Sequence, residues 1–490
     1  MAAVKTINDK KRSFFIGVGI CVILVAAIIL TTLSFNQNRS SLFIDQGFAR
    51  AFATAIGKSP SSITEEDILS IKVLAITTET DSTTGVKTTK LVVGGDDFQK
   101  AIEVDIEAEN YNESAHNEQY ASAQKTSNIT QSLKKLDDIA IFKNLSYLNL
   151  NNLTLLKNLN VVQNLDKLET LMIGTTQIKS LKDISGLTSL KTLGIQSLGI
   201  DDITALAPLK NLKTLYLSSN SIKDLSTLAE FTNLEVLYLE GNSVISEEDV
   251  STESGSKEVK VPVSLKPLEK LTNLKELRLT SSTVTDIDVV AKLTNLKKLS
   301  LAETGFKEIS PIKDLVNLTT LYLSKNEISD ISDLASLTKI TELDLGTNEI
   351  KDISVLSGMT DLATVYLNQN KIEDLSPLKD LKKMAYLYAS ENKITDVSML
   401  TNFDANVIKV IYLSGNELKN GDLLKSKYTA AYVVFDAPST SGNTSGNTSG
   451  TTSGTTSETT SETSSETSTV ENSDVVSDVS AAESSEVSAA

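Results

Sequence analysis

The stretch Leu318-Thr-Thr-Leu321-Tyr-Leu323-Ser-Lys-Asn326-Glu-Ile328-Ser-Asp330-Ile331 recurs down the chain with small changes. Its first apolar residue returns at Leu145, Leu168, Leu190, Leu212, Leu234, Leu274, Leu296, Leu318, Ile340, Leu362, Met384 and Ile408, and most steps in that series are 22 residues. A fixed period of this size marks a stacked repeat architecture. Where the copy alternates it reads as a strand, with Leu321 and Leu323 facing in and Thr320 and Tyr322 facing out. One copy cannot bury its apolar side alone. Stacked copies bury a continuous core, each touching only its neighbours.

The spelling L-x-x-L-x-L-x-x-N-x-L is the leucine-rich-repeat pattern. The expected fold is an α/β leucine-rich-repeat solenoid, curved, with a parallel concave sheet. The short period leaves room only for turns and short helical pieces on the return side. Asn220, Asn242, Asn326, Asn348, Asn370, Asn392 and Asn416 fill the ninth position. A buried turn strands backbone N–H and C=O groups, and an amide side chain both donates and accepts. Thr176, Ser282 and Thr304 substitute with less capacity, and Leu153 and Leu198 cannot substitute, so the first three repeats should be the least regular. A second column, Asp202, Asp224, Asp286, Asp330, Asp352, Asp374 and Asp396, suits turn capping by a short carboxylate, with metal binding as the rival reading.

The net charge of −17 argues against nucleic acid, whose phosphates need a basic surface. The single cysteine, Cys21, allows no intrachain disulfide, and the single histidine, His116, sits in a polar stretch. No Cys/His metal spacing, phosphate-binding glycine loop or nucleophile–base arrangement occurs. Catalysis, a cofactor and a metal are therefore not expected.

Residues 1–13 carry Lys5, Lys10, Lys11 and Arg12. Phe14 to Leu33 is a run of twenty residues without a charge, long enough to span a bilayer. The basic flank keeps residues 1–13 cytoplasmic and sends the rest outside. A cleaved signal peptide is the rival reading, but the exit TTLSFNQNRSS holds no small-residue cleavage site. Residues 34–128 form an N-terminal cap. Phe48, Phe52 and Ile56 share one helical face, with Gly57 as the stop. Thr64 and Asp67 read as a capping box, with Ile63 and Ile68 as its hydrophobic staple. Ile71 to Ile76 spells a first strand, LVVGG a second with a turn, and alternating Ile102, Val104 and Ile106 a third. The repeats occupy 129–420. From Leu234 to Leu274 is 40 residues, so 40 less 22 leaves 18 inserted, about 245–262, as a projecting loop or hairpin. Residues 421–436 cap the open end through Tyr432 to Phe435. Residues 437–490 are Ser/Thr-rich and acidic, and are expected to be disordered.

The helix–ITEED–strand entry, the 22-residue repeats and the linkers Ile309-Ser-Pro311-Ile312 and Leu375-Ser-Pro377-Leu378 resemble the internalin-type leucine-rich-repeat proteins of Gram-positive bacterial surfaces. The resemblance covers roughly residues 46–77 and 129–420. It implies a curved solenoid with a helical cap, used for binding. The immunoglobulin-like module usual after such repeats, and an L-P-x-T-G sorting motif, do not occur in the sequence.

The fifth position of each copy faces out on the concave sheet. There stand Tyr216, Tyr238, Tyr322, Tyr366, Tyr388 and Tyr412, with Tyr147 and Tyr386 two positions earlier. Tyrosine offers apolar area and a polar tip at low entropy cost, which suits recognition. A stabilising cross-strand ladder is the alternative. Arg278, Ser300 and Asp344 interrupt the stripe. The denser patch, Tyr366 to Tyr412, has Asn368, Ser390 and Glu391 beside it for hydrogen bonds. The expected function is a membrane-anchored extracellular binding protein holding a protein or glycan partner on this face. The alternative is a structural or regulatory envelope component whose partner lies in its own wall or membrane.

Overall fold

Each repeat contributes one three-residue strand, and each strand pairs in parallel with the next. Among the described residues twelve such strands run from Tyr147–Asn149 to Val410–Tyr412. The register advances by whole repeats: Leu321 lies opposite Leu299 on one side and Leu343 on the other. The structure is a computed structural model. It describes residues 5–6, 46–80, 87–95, 102–105, 137–153, 156–242, 244–246 and 259–436. Residues 14–33, Cys21, His116 and the 437–490 tail lie outside the described residues.

The inward leucines form one continuous core. Leu318, Leu321, Leu323, Leu343, Leu345 and Leu367 are each fully buried. After each strand the chain turns and returns through a short 3₁₀ piece such as Ser332–Ser336 or Ser354–Gly358, whose central leucines Leu334 and Leu356 are also buried. A three-residue strand followed by one tight turn is what a 22-residue period permits.

The turns are held by the asparagine column. Asn348 donates through Nδ2 to Leu323 O and Leu345 O, both at 3.0 Å, and accepts from the Ile328 amide at 3.1 Å. Asn370 repeats this with Leu345 O, Leu367 O and the Ile350 amide. Each side chain thus bridges two repeats. The substitutes do less, each donating to a single backbone carbonyl: Thr304 to Leu301 O at 2.7 Å, and Ser282 to Leu239 O at 2.9 Å. Where Leu198 stands in the column, Asn220 of the next repeat takes the Leu198 and Ile200 amides, both at 3.1 Å.

One regularity carries no conspicuous sequence mark. The residue before the asparagine position is left-handed in repeat after repeat: Ser219, Lys325, Thr347, Gln369 and Glu391 have φ between 53° and 57°, and glycine fills the same place at Gly241 and Gly415. The aspartate column caps the next turn. Asp330, Asp352, Asp374 and Asp396 each accept the amide two residues on at 2.7–2.8 Å. Those amides hold Asp330 and Asp396 below the ordinary carboxylate range. Asp286 departs from this: it is itself left-handed and takes the Ser264 hydroxyl instead.

At the N-terminal end the helix Gln46–Ala55 buries Phe48 and Phe52, with Phe52 edge-on to Phe142 at 5.6 Å. Gly57 follows with φ 69°, a conformation glycine adopts without penalty. Thr64 accepts the Asp67 amide while Asp67 accepts the Thr64 amide at 2.8 Å, closing the box at the head of Glu65–Leu69, and both Ile63 and Ile68 are buried. Val73–Thr80 then joins Tyr147–Asn149 in parallel and Lys87–Gly94 in antiparallel, and Ile102–Asp105 extends the hairpin outward. Lys5–Thr6 add a two-residue antiparallel pairing on Ile102–Glu103. At the other end Tyr432–Val434 adds a last parallel strand on Val410–Tyr412, beside the helix Asp422–Lys427. Between the fifth and sixth repeats, Val244–Ser246 pairs antiparallel with Val259–Val261, so the insertion leaves the stack through the base of a hairpin.

Candidate functional site

The outward residues of the strands form a continuous face two columns wide. The tyrosine column occupies one of them, held in line by the register Tyr366↔Tyr388↔Tyr412. Tyr366 and Tyr388 lie nearly parallel, centroids 4.8 Å apart and planes 10° from each other. Tyr216 and Tyr238 are also 4.8 Å apart but meet edge to face at 66°. Tyr386, Tyr388 and Tyr412 are half-buried, as are the other tyrosines of the stripe.

The residues that interrupt the stripe differ in what they do. Arg278 continues it, its guanidinium lying 4.3 Å above the Tyr238 ring. The same guanidinium pairs with Glu276 at 2.8 Å and approaches Glu240 at 3.9 Å. Tyr238 donates its phenol proton to Glu276 Oε1 at 2.7 Å. Burial, then the neighbouring Glu276, pushes the Tyr238 phenol above its ordinary value against the pull of Arg278. Tyr322 makes the corresponding bond to Glu342 Oε1 at 2.8 Å. Asp344, between Tyr322 and Tyr366 in register, accepts the Gly346 amide at 2.9 Å, and burial raises its carboxyl above the usual range. Sequence reading counted Arg278 and Asp344 only as gaps. The signal that could have found them is the column two positions earlier, where Glu276 and Glu342 recur beside the tyrosines.

The polar residues expected beside the second patch are placed unequally. Ser390 is buried, at 6 % exposure, and so offers a partner little. Asn368 folds over Gly346, where an added Cβ would meet its amide at 2.8 Å. Glu391 is exposed and accepts from Gln369 Nε2 at 3.0 Å, and Gln369 in turn accepts from Thr347 at 2.7 Å, a polar rim along the left-handed column that sequence reading missed. On the opposite side of the stack a groove of about 620 Å³ is lined by Asp330, Asp352, Lys351 and Val355, but its two aspartates cap turns and its Lys371 pairs with Glu349. Among the described residues no group of three or more His, Cys, Asp or Glu is placed to hold a metal ion.

Parallel three-residue strands, a bridging asparagine column and a 22-residue step together define a leucine-rich-repeat fold. A family model described as Leucine Rich repeats (2 copies) matches residues 210–251, 294–336, 316–358 and 338–380. No curated protein matches the chain. Among solved structures, an internalin (InlF) from Listeria monocytogenes strain 4b F2365 is similar at 28% identity and TM-score 0.54, covering 64% of this chain and 88% of that one. A leucine-rich-repeat protein of Leptospira interrogans aligns at 20% identity and TM-score 0.42, over 61% of this chain and 86% of that one. The functional domain of InlJ from Listeria monocytogenes aligns at 19% identity and TM-score 0.47, over 77% of this chain and 75% of that one. The repeats are thus internalin-like in fold.

Proposed function

We propose that this chain is a non-enzymatic binding protein of a Gram-positive cell surface, anchored by residues 14–33, that captures a protein partner on the inner sheet face. The observation that carries the reading is the tyrosine stripe. Solenoids of this kind use their extended concave surfaces for binding, and a row of half-exposed tyrosines offers apolar area with polar tips there. The parallel stack of Tyr366 on Tyr388 favours protein over glycan. A sugar ring needs the face of an aromatic ring. Here two faces are turned toward each other, so neither is open to a sugar. Ring edges carry partial positive charge and suit carbonyls and other aromatic rings.

The test uses the full chain as bait against envelope extract and, separately, foreign-cell extract. A protein retained by the wild type and lost with Tyr366→Ser plus Tyr388→Ser supports the reading. Equal retention by both forms shows the stripe to be scaffold. Because the two rings stack, the double variant is expected to lose about 0.5–1.5 kcal/mol of stability, so its circular dichroism spectrum is the control for folding.

A further inference from the structure

Two places on the sheet face are built on one plan and finished differently. At the first, Tyr238 bonds to Glu276 on the next strand, and Arg278, two residues after Glu276, lays its guanidinium on the tyrosine ring and on the glutamate. At the second, Tyr322 bonds to Glu342 on the next strand, and the residue two after Glu342 is Asp344. The registers are the same: Tyr238 lies opposite Arg278 as Tyr322 lies opposite Asp344. The first place therefore shows, inside this molecule, which ligand a Tyr–Glu pair of this geometry accepts. It accepts a guanidinium.

We propose that the Tyr322–Glu342–Asp344–Tyr366 place binds an arginine side chain of the protein partner, in the position that Arg278 fills at its sister place. This rests on the reading of the sheet face as a protein-binding surface. Aspartate is an anion and lays no cation over the Tyr322 ring, which the Arg278 charge reaches from two strands away. It instead puts a second carboxylate on the same strand face as Glu342, in register between Tyr322 and Tyr366 and bonded to the Gly346 amide. A guanidinium entering there meets one ring face by cation–π attraction and two carboxylates by charge-assisted bonds. Its planar fork fits carboxylates better than a lysine ammonium does. Burial makes the Asp344 charge costly in the free protein, although bonds from Ser324 and Gly346 and the charge of Lys325 offset this, and an incoming cation relieves that cost.

The test titrates the full chain, labelled at its tyrosine rings, with acetyl-arginine amide and with acetyl-citrulline amide, which keeps the shape and lacks the charge. Tyr322→Phe assigns the Tyr322 ring signal. Saturable shifts at Tyr322 and Tyr366 with the arginine probe, at concentrations about tenfold or more below those needed with citrulline, are expected. Asp344→Arg rebuilds the sister place with the protein's own guanidinium and is expected to abolish the response. Asp344→Asn keeps the side chain's shape and is expected to weaken it by about tenfold or more. An equal response to both probes, no saturable shift in the wild type, or an undiminished response in both Asp344 variants overturns the proposal. Such an outcome, with partner capture still lost in the Tyr366→Ser plus Tyr388→Ser chain, overturns the arginine place alone and leaves the binding face standing.

Discussion

Tyr322 donates its phenol proton to Glu342 across one strand boundary, at 2.8 Å. Glu342 stands next to Leu343, which is fully buried, so one strand carries a core residue and a surface bond side by side. Leu343→Asp is expected to cost several kcal/mol, because it leaves an unpaired charge in the core. Glu342→Ala is expected to cost roughly 0.5–1.5 kcal/mol, the worth of one bond, which is more than a plain surface change. Thermal melts of the two variants check this, and similar midpoints would refute the inward assignment of Leu343.

Asn348→Ala should fall between those two. It strands the carbonyls of Leu323 and Leu345 and the amide of Ile328. A cost of roughly 1–3 kcal/mol is expected. Amide hydrogen exchange at Ile328 is the local readout, and protection there should drop before protection in distant repeats.

The left-handed column makes two opposite predictions. Lys325 is held at φ 54°, a conformation costing roughly 1–2 kcal/mol for a residue with a Cβ. Lys325→Gly relieves that and should raise stability, by less than about 1 kcal/mol once the entropy of glycine is counted. Gly415→Ala should lower it, since φ is 72° and the new Cβ would stand 2.9 Å from Glu391 Cγ. Denaturant midpoints moving the same way in both variants would count against strain as the cause.

Asp344 gives a pH dependence. Burial raises its folded pKa, so between the unfolded and folded values the native state holds the extra proton. The stability tied to that proton is present below the unfolded value and is lost as pH rises through the folded one. Asp344→Asn carries no such proton to lose. Its melting temperature should exceed that of the wild type at neutral pH, and the excess should shrink on acidification. A difference constant across the pH series would show that the Asp344 charge is borne without cost.

The anchor is tested by topology. Among the described residues no helix is long and apolar enough to cross a membrane, and residues 14–33 lie outside them. An inserted 14–33 segment would place Lys5 and Glu103 on opposite sides of a bilayer, so anchoring as proposed entails release of the Lys5–Thr6 pairing. With Ser445→Cys in whole cells, an impermeant thiol reagent is expected to label the tail. A mature chain beginning near Gln37 would show cleavage in place of anchoring.

The repeat register was legible because it is written in local terms. Period-two alternation places Leu321 and Leu323 inside, and a stacked repeat repeats the answer, so the inward leucines and the bridging asparagines follow from spacing alone. The Thr64–Asp67 box is local for the same reason. The left-handed column was not legible, because Lys325, Gln369 and Glu391 give no hint of positive φ. Only the demand of the asparagine turn behind them forces that conformation.

On the sheet face, sequence determined which residues point outward, and the tyrosine column could be named from it. What those residues do to one another was decided by tertiary structure. Tyr238 and Glu276 are 38 residues apart, with the hairpin insertion between them, yet they bond because parallel stacking sets their strands side by side. Arg278 looked like a break in the stripe and is part of it, whereas Asp344 in the equivalent place carries the opposite charge. Such a difference cannot be read from spacing, since direction comes from the strand period, while contact comes from the neighbouring repeat.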